Sequence, residues 1–150
     1  MTITQTRRRF LARLLAIGVL ALSPLKLLAR NQPAFAAEEV DATLQALLGD
    51  KPLVNSTDIM LKVPNIAENG AVVPVTVTTT IANVERISLI VDGNPNPLSA
   101  SFRLFPGAAA DIATRLKVGK SSDVRAIVET ATTAFFTSKN VKVTIGGCGG

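Results

Sequence analysis

The sequence has no histidine, no tryptophan, no tyrosine and a single cysteine in 150 residues. Each absence removes a class of chemistry. Without histidine there is no Ser-His or Cys-His dyad, no histidine-ligated haem and no imidazole to hold a metal. One cysteine cannot close an intramolecular disulfide, nor can it build a multi-thiolate zinc or iron–sulfur site. The 11 acidic residues are scattered, and none falls in the D-x-D-x-D-G spacing of a calcium loop; Asp92-Gly93-Asn94 reads as a turn. No cofactor or metal is expected on the chain, and a self-sufficient hydrolase or oxidoreductase is hard to assemble from these residues. The chemistry that remains belongs to Cys148.

That cysteine sits in Gly146-Gly147-Cys148-Gly149-Gly150. Glycine has no side chain to bury and loses more conformational freedom on ordering than any other residue. Residues 146–150 are therefore expected to form a mobile arm rather than a core strand. The last apolar residue of the preceding pattern is Ile145, three residues before the thiol. At full extension such a leash lets the sulfur travel about 10 Å, with backbone slim enough to enter a narrow pocket of another protein. An unperturbed thiol is only a few per cent thiolate at neutral pH, and nothing adjacent in sequence lowers its pKa. Activation is expected from the site that receives the arm. Prenylation fits poorly, because the C-a-a-X signal needs three residues after the cysteine.

The other end carries Thr6-Arg7-Arg8-Arg9-Phe10-Leu11, then the apolar run Leu14–Leu22, then Ala34-Phe35-Ala36 before Ala37-Glu38-Glu39. A positive segment, an apolar segment of about 9 residues and an A-x-A site make a secretory signal. The paired arginines point to the twin-arginine route, which carries folded proteins. A membrane anchor fits less well, since the run is far short of the roughly 20 residues that span a bilayer. The expected division is a signal over 1–36, a domain over 37–145 and the arm over 146–150, with the mature protein in the periplasm. Six of the 16 Lys+Arg precede residue 37 and all 11 Asp+Glu follow it, so the remainder carries a formal charge of −1 rather than +5. The high pI thus implies neither a nucleic-acid nor a membrane partner.

Across Glu38–Leu48, Val40, Leu44, Leu47 and Leu48 recur at helical spacing, with acidic residues in the first turn and Gly49 as a stop. After that the period becomes two. Ile59–Val63, Val73–Val77, Ile87–Val91, Ala100–Leu104, Ile112–Leu116, Val124–Val128 and Val141–Ile145 alternate apolar with other residues, punctuated by Asn69-Gly70, Asp92-Gly93, Asn94-Pro95-Asn96-Pro97, Pro106-Gly107 and Gly119-Lys120. About seven short strands with turn signals between them argue for an all-β sandwich. Ile90, out of phase within its strand, suggests burial on both faces. Pro74 marks an edge or a bulge. The valine and phenylalanine stripes read as core. Residues 131–140 have no clear period, and Phe105, Phe135 and Phe136 fall outside the inward alternation, which leaves a partner surface open for them. Arg86, Arg103, Arg115 and Arg125 read as a solvated sheet face.

Val141-Lys142-Val143-Thr144-Ile145-Gly146-Gly147-Cys148-Gly149-Gly150 resembles, without a gap, the C-terminal signature of the SoxY family of sulfur carriers. Ile66-Ala67-Glu68-Asn69-Gly70 with Val73-Pro74-Val75, and Asn94-Pro95-Asn96-Pro97 with Ala100–Leu104, resemble its early and middle regions. The resemblance implies an immunoglobulin-like sandwich in a heterodimer with a SoxZ-like sandwich subunit. It implies that thiosulfate is oxidatively joined to the Cys148 sulfur by a c-type haem protein. A dimanganese hydrolase would release sulfate, and a molybdenum enzyme would oxidise the remaining sulfane sulfur. The chain itself would be a covalent carrier, with Gly146, Gly147, Gly149 and Gly150 giving the arm its freedom. Two other readings compete. Terminal Gly-Gly is also how ubiquitin-like carriers end before conversion to a thiocarboxylate, a cytoplasmic chemistry that does not need Cys148. A structural sandwich dimerising through Cys148 is the other.

Overall fold

In the computed structural model, which describes residues 32–144, each of the seven alternating segments forms a strand. Residues 1–31 of the expected 1–36 signal, Ile145 and the arm over 146–150 lie outside the described residues. Among the described residues two short helices, α1 (Gln32–Ala36) and α2 (Val40–Leu48), precede nine strands. These are β1 (Leu53–Asn55), β2 (Ile59–Lys62), β3 (Ile66–Ala67), β4 (Val73–Thr79), β5 (Arg86–Val91), β6 (Leu98–Arg103), β7 (Asp111–Leu116), β8 (Ser122–Glu129) and β9 (Ala134–Val143). Helix α2 ends where the sequence places its stop: Gly49 adopts φ 60° and its N–H donates to the Gln45 carbonyl over 2.9 Å, a conformation that suits glycine.

The strands form two sheets, one ordered β1-β9-β8-β5-β6 with β3 also paired to β9, the other β2-β4-β7. The layer between them comes from residues at period two. Val73, Val75 and Val77 meet Ile87, Leu89 and Val91 from β5, Val124, Ala126 and Val128 from β8, and Val141 from β9. All are essentially shielded from solvent. This is the sandwich that the alternation predicts, and hydrophobic burial of such a layer is the main stabilising term. Pro74 lies opposite Arg115 on β7, on a part of β4 that β2, paired only with Thr76–Thr79, does not reach. Its missing N–H therefore breaks no ladder on that side.

The larger sheet is covered on its outer face as well. Ile90, Leu98, Ile127 and Ala134 form a second apolar cluster with Leu47 and Leu48 from α2 and Ala34 from α1. That explains the unbroken burial of β5 from Ile87 to Val91. Ser88, wholly buried among these residues, is satisfied by the Ser101 hydroxyl at 3.0 Å.

Several readings are corrected by this arrangement. The final strand begins at Ala134 rather than Val141, so most of the aperiodic 131–140 segment is ladder. Phe135 packs, partly buried, on the layer between the sheets and Phe136 on the outer cluster; consecutive strand residues point to opposite faces, and each face carries an apolar cluster. Phe105 does stand free, 76% exposed. Arg125 is not a solvated face residue: it clamps Asp92, its Nε donating at 2.8 and 3.0 Å and its NH2 at 2.6 Å. Arg86 pairs with Glu129 at 3.6 Å, while Arg103 and Arg115 are exposed as expected.

Candidate functional site

Cys148 and the four glycines Gly146, Gly147, Gly149 and Gly150 lie outside the described residues. What the structure places is the root from which they continue, the end of β9. Two neighbours hold that end. On the β8 side the Val143 N–H donates to the Ser121 hydroxyl at 2.9 Å, and that hydroxyl donates to the Val143 carbonyl at 3.3 Å. On the β3 side the Lys142 N–H donates to the Asn65 carbonyl at 2.9 Å and the Thr144 N–H to the Ala67 carbonyl at 3.1 Å. Val141 is fully buried beneath them. Hydrogen bonds on both edges, up to the last described residue, make this a fixed anchor. Cys148 is the fourth residue after Thr144, a maximal reach of about 14 Å.

Gly70 completes the root. A Cβ there would collide with the Val118 carbonyl oxygen and lie 2.9 Å from Val143 Cγ1, while the Gly70 carbonyl accepts the Val118 N–H at 2.7 Å. The close approach needs a residue without a side chain. Gly70→Ala is expected to lower stability by about 1–3 kcal/mol through overpacking and to loosen the end of β9. Urea denaturation and amide exchange at Val143 and Thr144 check this; unchanged exchange there would contradict it.

Next to the root, Asn94 ties two turns together, its Nδ2 donating to the Lys117 carbonyl at 2.8 Å and its Oδ1 accepting the Gly119 N–H at 2.9 Å. Lys117 and Lys120 are exposed on the tied turn that leads into Ser121, and Glu68 is exposed on the β3 side next to Ala67. The sequence signals for this neighbourhood were the Asn69-Gly70 and Gly119-Lys120 turns. Ser121 carried no mark and Ala67 stood out only within the family resemblance, because their contacts depend on strands brought together from distant parts of the chain.

At the opposite end of β8, Glu129 is only 3% exposed, with Lys51 Nζ at 3.7 Å and Arg86 NH1 at 3.6 Å. Burial pushes its carboxyl above the ordinary carboxylate range, against the opposing pull of Arg86 and Lys51. The folded state thus holds this proton more tightly than the unfolded chain does. The associated stability is present below the ordinary carboxylate pKa and is lost as the pH rises through the raised one. The advantage of the wild type over Glu129→Gln is therefore expected to shrink from acid toward neutral pH in urea titrations. A constant or growing advantage would contradict the assignment. Midway along β8, the hydrogen bond to Asp92 holds the Arg125 guanidinium above its usual pKa.

Among the described residues there is no group of three or more His, Cys, Asp or Glu side chains that could hold a metal ion, and no helix is long and apolar enough to cross a membrane. The described part is a two-sheet scaffold with a tightly held strand end, from which a thiol-bearing segment continues. The class so far defined is a two-sheet β-sandwich whose last described strand precedes the single cysteine in sequence.

Comparison with known proteins agrees. The family model "Sulfur oxidation protein SoxY" matches residues 44–148. Among solved structures, the sulfur carrier protein SoxY from Chlorobium limicola f thiosulfatophilum is similar to this chain, with 36% identity and a TM-score of 0.66 over 71% of this chain and 97% of that one. No curated protein matches it. The chain belongs to the SoxY family of sulfur-oxidation carrier proteins.

Proposed function

We propose that this chain carries thiosulfate-derived intermediates covalently on Cys148 and presents them to separate enzymes. One observation carries the reading: the family match runs to residue 148 itself and so takes in the only cysteine of the chain. In the loading step the Cys148 thiolate and thiosulfate join through a new S–S bond, giving Cys–S–S–SO3− and two electrons. A c-type haem partner takes up those electrons. Water then cleaves the S–SO3− bond on a dimanganese hydrolase, leaving Cys–S–SH and hydrogen sulfate. A molybdenum enzyme oxidises the remaining sulfane sulfur in systems that contain one. The carrier supplies neither oxidant nor metal in these steps; it supplies one nucleophile on a short leash.

The same reading makes the chain an exported, twin-arginine-dependent precursor whose mature form works in the periplasm as a heterodimer with a SoxZ-like subunit. Export in the folded state suits a partner that has no signal of its own. Incubation with labelled thiosulfate and the oxidising partner tests the loading step. Label is expected to stay on the protein in a denaturing gel, to leave on reduction and to be missing from Cys148→Ser. Label retained by Cys148→Ser would overturn the proposal.

A further inference from the structure

The cleavage motif read from the sequence, Ala34-Phe35-Ala36 before Ala37, is folded onto the domain it would be cut from. Ala34 is fully buried in the outer cluster, among Leu47, Leu48, Ile90, Leu98, Ile127 and Ala134, and Phe35 packs beside it. Ala34 to Ala36 are helical, and the Ala37 N–H donates to the Pro33 carbonyl at 3.1 Å. Asn96, on the turn between β5 and β6, donates from Nδ2 to the carbonyl oxygens of Ala36 at 3.4 Å and Ala37 at 3.3 Å.

These contacts occupy the groups that hydrolysis of the Ala36–Ala37 bond would require. In an A-x-A site the small side chains at the first and third positions are the recognised ones. Here the first of them fills a hole in the domain's own sheet face. The carbonyl that water must attack is already accepting a hydrogen bond from Asn96. Cleavage by a peptidase needs the segment free, and a bond held in folded structure is cut from its open form in proportion to that form's population.

We infer that the folded precursor guards its own cleavage site: the Pro33–Ala37 segment docks on the outer face of the larger sheet, and processing proceeds only from the undocked state. The inference rests on the exported-precursor reading but not on the chemistry of Cys148. Cleavage after Ala36 removes Ala34 and Phe35 from the sheet, so the strip formed by Ile90, Leu98 and Ile127 loses part of its cover at the moment of maturation.

The test uses purified full-length precursor and a signal peptidase, with a synthetic peptide spanning residues 28–42 as the undocked reference. Phe35→Ala leaves both recognised alanines in place and removes a half-buried ring from the docked segment. It is expected to speed cleavage of the folded precursor about tenfold, because the docked state no longer gains the burial of that ring, and to leave the rate of the peptide unchanged. Asn96→Ala, which changes no residue of the motif and removes only the side-chain hydrogen bonds to the Ala36 and Ala37 carbonyls, is expected to speed the precursor about two- to threefold. Exchange of the Ala37 amide should quicken in both variants. A folded precursor cut as fast as the peptide, or rates unmoved by both substitutions, would overturn the docking. A peptide that is not cut between Ala36 and Ala37 would instead sink the export reading. Neither outcome depends on whether Cys148 carries sulfur.

Discussion

Replacing Cys148 by serine is expected to reduce thiosulfate oxidation by the reconstituted system to its background rate. The sequence has one sulfur nucleophile and no histidine, so no second group can take over. A serine oxygen cannot form the S–S bond on which every later intermediate depends. The substitution exchanges sulfur for oxygen in a glycine-flanked segment that follows β9 in sequence, so the melting temperature is expected to stay unchanged. Loss of activity without loss of stability separates a carrier role from a folding role. Substantial oxidation by a folded Cys148→Ser protein would end the carrier account.

The largest expected effect on stability is at Leu89. Its side chain is fully buried in β5, which is paired on both edges, and the residues opposite it in the ladder are Ala100 on β6 and Ala126 on β8. Neither alanine can extend to fill the space that Leu89→Ala would leave. Such truncations in a core lose about 2–5 kcal/mol, more where the site cannot collapse, so about 4 kcal/mol is expected here. Against the usual 5–15 kcal/mol of a domain this size, it leaves little margin and lowers Tm by about 15 °C. Urea unfolding checks the value. A loss below about 1 kcal/mol would mean that the two sheets do not pack as described.

The strands that could be read from the sequence were those that alternate cleanly. Val73, Val75 and Val77, or Val124, Ala126 and Val128, announce an inward face because their intervening residues differ in polarity. The first half of β9 does not alternate, since Phe135 and Phe136 are both apolar and each meets a different cluster. β1 and β3 are three and two residues long and exist through parallel pairing with β9. Nothing local marks a strand whose partner lies some 80 positions away in sequence. Arg125 looked like a surface residue because its partner, Asp92, is 33 residues distant. The candidate site divides in the same way. Cys148 and its glycines stood out by composition alone, whereas the Ser121, Ala67 and Gly70 contacts that fix the root of the arm needed the fold.

The covalent claim is tested most directly by the mass of the Cys148 peptide in protein isolated from cells that are oxidising thiosulfate. A carrier at work predicts a mixture of free thiol, sulfane and thiosulfonate forms, all collapsing to the thiol on reduction. A Cys148 peptide that stays unmodified throughout active oxidation would contradict it.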